Sequence, residues 1–388
     1  MRVLAAFDKC KGSLSAHQMC SLASAALTEH KEIELETIPL TDGGDGFVEI
    51  LTKSVGGEFL STEVRDSVGK LIQVSIGICS LDDLPFSARS VLKIEAEQKI
   101  AVLEMACVVG LANLKESERN PWETSTCGVG ELLGFVSELG VDLIVLGIGG
   151  SSTNDAGLGA MSALGLQMKD GQEQIIENPK PRDWSRVKKI ESLSIRKLPR
   201  LVIACDVENT LLGCSGATFG FALQKGLPAS ELEEMEKSME AMVELLKIEF
   251  EQVVSLKEQK GSGAAGGLAF GLGLCYDIQM ISGFSLLSNW FDIPTKMKCT
   301  DLVLTGEGKF DDTSLLGKAP FQILKMASDR GIETKLIAGK VEESTANRCR
   351  ELYPLCSFES FSRMDLSLEE NFARAEEFFE EKIKHLFN

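Results

Sequence analysis

Several loops hold the residues able to do chemistry, and most of them follow an apolar run. Residues Leu143 to Leu146 precede Gly147-Ile148-Gly149-Gly150-Ser151-Ser152-Thr153-Asn154-Asp155. Glycines let a ligand approach the backbone, and the hydroxyl, amide and carboxylate that follow can cap a helix or hold a phosphate or its metal. Leu158, Met161 and Leu164 are spaced as one face of a short helix. Strand, glycine turn and helix start together predict an anion site, because unpaired N–H groups and the helix dipole point at the ligand. A tight turn that binds nothing is the alternative. Leu201 to Cys205 ends on Asp206, and Asp301 to Thr305 ends on Gly306-Glu307-Gly308-Lys309, with Asp311, Asp312, Gly317 and Lys318 behind it. A carboxylate just past a strand's C-terminal end is where open α/β sheets place ligand and metal residues.

Three further segments are of the same kind. Arg2 to Phe7 reads as a strand, and Lys11 follows it ahead of a helix that Ser15 and Gln18 open as a capping box. Lys11 there can meet a phosphate or carboxylate, or simply be solvated. Thr41-Asp42-Gly43-Gly44-Asp45-Gly46 sets two carboxylates among glycines before an apolar helix, which suits a metal, a hydroxyl-bearing substrate or an Asp-Gly turn. Gly261 to Leu274 is a second glycine-rich segment, either a phosphate loop or a place where two backbones pack closely. Glu104, inside an apolar run, is either a paired core charge or a site residue.

The elements that must position these groups alternate. Short apolar strands are followed by helices whose apolar residues recur at helical spacing. Ser230 and Glu233 suggest a capping box for a long helix with a Met stripe, a core or interdomain face; Ser367 and Glu370 suggest one for a final helix burying Phe372, Ala375, Phe379, Ile383 and Leu386. Phe59 to Ser80 and Ser90 to Met105 are β-rich, joined by a loop at 82–89, and residues 171–199 read as a surface excursion. The fold class is α/β with parallel sheet and ligands gathered at the carboxyl edge. The texture change near Gly56 predicts that residues 1–57 join 278–388 in one domain and that 58–277 are inserted.

Composition narrows the function. The 388 residues suggest roughly two domains. Hydrophobic content of 44% and charged content of 25% are those of a globular protein. A net charge of −18 argues against gripping a nucleic-acid backbone. The apolar runs are too short for a membrane span, and the start is too briefly apolar for a signal peptide. The 11 cysteines include no CxxC pair, which fits reduced thiols in a cytoplasmic protein, and the 3 histidines form no zinc-like or triad pattern. No GxxxxGK[ST] occurs. What remains is carboxylates, lysines and backbone N–H groups, the parts of phosphoryl transfer. A dinucleotide-dependent oxidoreductase is a second reading, since Asp170 stands where a ribose acid would, although Ser152 replaces the third glycine. A non-catalytic anion-binding protein is a third.

The chain resembles the glycerate kinases of the bacterial glycerate 2-kinase type nearly end to end. DKCKGSLSA at Asp8, TDGGDG at Thr41, NPWETSTCGVGEL at Asn120, GIGGSSTNDAGLG at Gly147, ACDVENTLLG at Ala204, QKG at Gln224, GSGAAGG at Gly261 and TGEGKFDDTSLLGKAP at Thr305 carry the resemblance. Asp45 and Lys309 stand where the family usually has Glu and Arg, with the charge kept. The resemblance implies ATP, Mg²⁺ and D-glycerate, with 2-phosphoglycerate as product. It implies a flavodoxin-like domain from both chain ends, an inserted domain of nuclease-like topology, and a site in the cleft between them. Asp206, Glu307, Lys11 and Asp42 are the expected catalytic residues, and Asp206 and Asp155 the expected metal ligands. Asp45, Gly149, Gly150, Ser151, Ser152, Asn154, Lys225, Gly263, Lys309, Asp311 and Lys318 are expected to bind substrate or nucleotide.

Overall fold

The computed structural model describes residues 1–41, 43–94 and 98–387. Eleven strands build two main sheets: β1 (Arg2–Phe7), β2 (Glu34–Pro39), β3 (Glu58–Arg65), β4 (Leu71–Ser80), β5 (Lys99–Glu104), β6 (Leu143–Gly147), β7 (Arg200–Ala204), β8 (Ile278–Ile281), β9 (Leu302–Gly306), β10 (Glu333–Ala338) and β11 (Cys356–Ser360). Between them run α1 (Ala16–Leu27), α2 (Phe47–Ser54), α3 (Phe86–Leu92), α4 (Cys127–Ser137), α5 (Leu158–Ala163), α6 (Leu232–Glu249), α7 (Ala319–Ser328), α8 (Leu368–Ala373) and α9 (Ala375–Phe387), with shorter turns of helix. The architecture is mixed α/β with parallel sheets. None of the described helices is long and apolar enough to cross a membrane.

The chain divides into two compact units, Met1–Asp42 with Pro85–Val91 and Phe284–Asn388, and Gly43–Leu84 with Leu92–Gly283. In the first unit the strand order is β2-β1-β9-β10-β11, all parallel, the flavodoxin-like order. Both faces are covered, as an all-parallel sheet requires. Val3, Ala5, Phe7, Leu304 and Ile337 pack with α1 and α9, where Phe379 meets Phe7 and Phe361 edge-on at 5.2 and 5.4 Å. Leu336 and Ala338, on the opposite face of β10, pack with Leu324 of α7, Phe310 and Phe358. Removing the Phe379 ring would cost about 3–5 kcal/mol.

The second unit's sheet has the order β3-β4-β5-β6-β7-β8. β5 to β8 run parallel, whereas β3 and β4 form an antiparallel hairpin that joins at β5. α6 lays Met235, Met239, Met242 and Leu246 into the core, so the Met stripe is packing.

Sequence expectations and structure differ in several places. Residues 43–57 sit in the second unit, because α2 buries Phe47, Val48, Ile50 and Leu51 against β4 and β5. Residues 278–281 pair with β7 there too. Residues 86–92, expected as loop and strand, form α3, whose Ser87 hydroxyl donates to Asn289 O at 2.8 Å in the first unit. The excursion at 171–199 is ordered around buried Trp184, with Lys189–Glu191 pairing antiparallel to Gln167–Lys169. Ser15 and Ser367 do form capping boxes. Ser230 does not, because a turn of 3₁₀ helix at Ala229–Glu231 precedes α6 and displaces its start. The final helix breaks at Arg374, which leaves Phe372 exposed.

Candidate active-site clusters

In the first unit, β1 and β9 lie side by side, with Phe7 opposite Gly306. The residue after each is acidic: Asp8 and Glu307, both buried. Gly306 is required between them, since a Cβ there would sit 1.7 Å from Ile337 O on β10. Beyond the strand ends the two loops touch, with Cys10 Cα 3.1 Å from where Gly308 would carry a side chain. Burial, and then the charges of Asp8 and Glu307, push the Cys10 thiol up to about 12, so both carboxylates act on one small volume.

Glu307 is the most unusual group in this cluster. Its side chain is 4% exposed, and Lys318 Nζ donates to Oε2 at 2.8 Å. Oε1 has no hydrogen-bond partner among the described residues. The nearby Ser314 hydroxyl is occupied, donating to Lys309 O at 3.4 Å and accepting from Asp311 N at 3.1 Å. Burial raises the Glu307 carboxyl above the ordinary carboxylate range, and Lys318 pulls partly against it. Thr305 Oγ1 and Thr41 Oγ1 are also buried without partners among the described residues. Native proteins rarely leave such atoms unpaired, and their grouping at one sheet edge marks a place for a polar ligand.

Lys11 is exposed on the loop after β1 and pairs with no other described residue. Lys309 and Asp311, expected to bind ligand, bind each other at 2.7 Å. Asp311 also accepts from Thr313 N and Oγ1, and Lys309 foremost holds its carboxyl down at about 2. Asp42 lies outside the described residues.

The second unit gathers another set at the carboxyl edge of its parallel strands. Glu104, Gly147, Ala204 and Ile281 stand in one row across β5 to β8. The loop from Gly43 to Gly46 lies over that row. Gly149 N donates to Gly43 O at 3.0 Å, and a Cβ on Gly149 would meet Gly44 N at 2.8 Å. Glu104 Oε2 accepts from Gly46 N at 3.1 Å and Val48 N at 3.2 Å, so this buried acid anchors the start of α2 and its dipole. Asp45 Oδ1 lies 3.6 Å from the Cβ position of Gly150. Asp206, two residues past the row on β7, accepts from Ser282 Oγ at 2.7 Å. Asp45, Glu104, Gly149, Gly150 and Asp206 therefore share one sheet edge.

The loop after β6 splits in two. Gly149 and Gly150 are its outer half, and Ser151 lies just beneath. From Ser152 inward it is buried, and the expected anion site is filled from within. Asp155 accepts from Thr126 N at 2.7 Å, Thr126 Oγ1 at 2.8 Å, and Gly157 N and Gly159 N at 3.2 Å. The first N–H groups of α5 are thus satisfied by a fully buried carboxylate, which is out of reach of a metal ion. Ser152 donates to Val109 O at 2.7 Å, and Asn154 turns its amide toward Thr218 Oγ1 and Met235 Sδ. Lys225 is buried, with Nζ donating to Thr153 O at 2.7 Å. Gly263 packs against Thr210 and Gly266 against Thr153, where Cβ atoms would fall 2.0 and 2.1 Å from carbonyl oxygens. The second glycine segment is thus a packing surface. Ser152, Asn154, Asp155, Lys225 and Gly263 form the support of this edge rather than its lining. Asp170 accepts from Gln172 N and Gln174 N in a turn, which removes the geometric case for a ribose acid.

Among the described residues no group of three or more His, Cys, Asp or Glu side chains could hold a metal ion. Mg²⁺ usually keeps several waters and takes one or two carboxylates with phosphate oxygens. Half-buried Asp206 fits that demand and Asp155 does not.

Asp8 was not among the candidates read from sequence, and Glu104 was left open there between a paired core charge and a site residue. The signal was present for both: each is an acid at the end of an apolar strand, the rule that singled out Asp206 and Glu307.

Comparison with known proteins agrees with this inventory. A model described as the glycerate kinase family matches residues 3–388. The chain is 30% identical over 353 residues to a glycerate kinase of Haemophilus influenzae, covering 88% of this chain and 87% of that one. It is 29% identical over 334 residues to the glycerate 2-kinase of Escherichia coli K12, covering 84% and 82%. A crystal structure described as a glycerate kinase 2 of Salmonella typhimurium LT2 superposes with a TM-score of 0.77 at 26% identity, covering all of this chain and 97% of the other.

Proposed function

We propose that this chain, which belongs to the glycerate kinase family and is a phosphotransferase, transfers the γ-phosphoryl group of ATP to the 2-hydroxyl of D-glycerate with Mg²⁺, giving 2-phosphoglycerate and ADP. The observation that carries the reading is Glu307: a buried carboxylate at a strand end, one oxygen ion-paired to Lys318 and the other without a described partner.

In this scheme Glu307 Oε1 accepts the proton of the attacking hydroxyl. Lys318 favours the charged form of the carboxylate against the effect of its burial. The new bond joins the glycerate oxygen to the γ-phosphorus, and the bond to the β,γ-bridging oxygen breaks, releasing ADP. Lys11, on its exposed loop, is assigned to an anionic group of nucleotide or glycerate. Asp206 is assigned to the cation and Asp45 to substrate hydroxyls, with Gly150 and Ser151 offering backbone N–H groups and Gly149, whose own N–H is held by Gly43 O, letting the ligand approach the backbone. Asp42 is kept as a substrate-gripping residue on its sequence position alone. Mg²⁺, bound with the nucleotide, would neutralise charge on its phosphates. All eleven cysteines are free thiols, which supports a reducing, cytoplasmic setting.

The test is direct. Purified protein with ATP, Mg²⁺ and D-glycerate should form ADP, and phosphorus NMR should identify 2-phosphoglycerate. Absence of ADP formation would refute the reaction, and 3-phosphoglycerate as sole product would refute the regiochemistry.

A further inference from the structure

Lys225 was expected to touch a ligand, yet it is 3% exposed. Its ammonium ends on the carbonyl of Thr153, two residues inward from Ser151, at 2.7 Å. Thr153 is held from the other side too, since a Cβ on Gly266 would sit 2.1 Å from the same oxygen. Next in the chain, Asn154 is tied to Thr218 and to Met235 of α6, and Asp155 gathers the N–H groups of Thr126, Gly157 and Gly159. The inner half of the loop is therefore clamped between the buried Lys225 ammonium and the buried Asp155 carboxylate. A buried lysine is costly unless its charge is used.

We propose that Lys225 is a positioning residue for the kinase reaction: through the Thr153 carbonyl, its ammonium holds the outer residues Gly149 to Ser151 in the conformation that receives the phosphates of ATP. This rests on the reading that those residues bind the nucleotide.

Charge on Lys225 is set by few neighbours. Burial pulls its ammonium down to about 7, and the charge of Asp155 opposes that. On α6, Glu236 Oε1 accepts from Gly213 N at 2.7 Å, and Arg119 presents its backbone carbonyl to Gly226; Glu236 Oε2 and Arg119 Nε are buried without partners among the described residues. Lys225 therefore changes charge near neutrality. As pH rises through that point the charge-assisted bond to Thr153 O weakens to that of a neutral amine, and the loop is held less firmly.

The test compares full-length wild type with K225M and K225R, measuring kcat and KM for ATP and for glycerate from about pH 6 to pH 9 at saturating Mg²⁺. K225M should raise the KM for ATP about tenfold or more, with kcat and the KM for glycerate changed by less than about threefold. In wild type the KM for ATP should rise with pH relative to K225R, whose guanidinium stays charged throughout. A K225M enzyme that melts earlier but keeps the wild-type KM for ATP would show a merely structural lysine and overturn the proposal. If K225M does not fold, K225R decides alone: the same pH dependence in wild type and K225R also overturns it. G150A and G150V, which put a side chain on a backbone held at φ 71°, separate the two readings. If they raise the KM for ATP while K225M does not, only the positioning role fails. If neither does, the nucleotide assignment of the loop fails and takes this inference with it.

Discussion

Lys318 Nζ stands 2.8 Å from Glu307 Oε2, and the other oxygen of the same buried carboxylate meets no donor among the described residues. The two halves of the group therefore do different work. One keeps the charge affordable away from water, and the other remains able to take a proton. A surface ion pair of this length would be worth little. Here one partner is 4% exposed, so the pair works directly against the upward pull of burial on that carboxyl.

E307Q keeps the volume and removes the proposed base. Loss of a general base typically costs about 10²- to 10⁴-fold in kcat. The KM values should change little, and a thermal melt should show that the fold survives. A kcat within threefold of wild type would place the base elsewhere.

K318M removes the positive neighbour of a carboxyl that burial already raises. Its loss favours the neutral acid, so the pKa of Glu307 should climb further. Because the base works only when deprotonated, the acid limb of the kcat profile should move to higher pH. The variant should be most impaired near about pH 6 and recover part of its rate near about pH 8. An acid limb left in place would uncouple Lys318 from catalysis.

D206N and D155N should separate. Asp206 sits half-buried at the sheet edge, so D206N should lower kcat at limiting Mg²⁺ and regain part of it in excess metal. Asp155 accepts four hydrogen bonds in the core. Asparagine would turn an amide N–H toward those donors, costing about 3 kcal/mol or more of stability. D155N should melt earlier, with no response to added Mg²⁺. Metal rescue of D155N would reverse the two roles.

Lys225 also links stability to pH. Its folded pKa, about 7, lies below the unfolded value. Between the two the unfolded chain binds the extra proton, so this group makes stability rise with pH, by at most ~1.4 kcal/mol per unit. Denaturant melts between about pH 7 and pH 9 should show that slope in wild type and lack it in K225M.

Strand ends were legible in the sequence because apolar runs broken by Gly, Asp or Glu leave little choice of structure. Leu143–Gly147 and Leu302–Gly306 follow that rule within a residue. What sequence could not show is which polar residues turn inward. Asp155, Asn154 and Lys225 have the composition of a ligand loop, and their burial depends on Thr126, Thr218 and Gly266, far away in the chain. Gly263 and Gly266 read equally as phosphate loop or close packing until the facing carbonyls are known. The boundary near Gly56 was placed too late because α2 looks like any helix after a strand. Its partners β4 and β5 lie further on in the chain. Asp8 was passed over although it follows β1 as directly as Glu307 follows β9.

β1 pairs with β2 on one side and with β9 on the other, where neighbouring Arg2 and Asp301 bond across 299 positions of sequence. During synthesis at roughly 5–20 residues per second, β1 would wait about 15–60 s for that partner to be made. All strands of the second sheet, and the loops that carry Asp45, Gly149 and Asp206, are complete before β9 exists. Glu307 is thus among the last of the candidate groups to be made, just past a strand whose pairing with β1 closes a loop spanning 299 positions. A nascent chain arrested before Leu302 would carry one finished sheet and a β1–β2 pair with the other edge of β1 open, a natural target for chaperones.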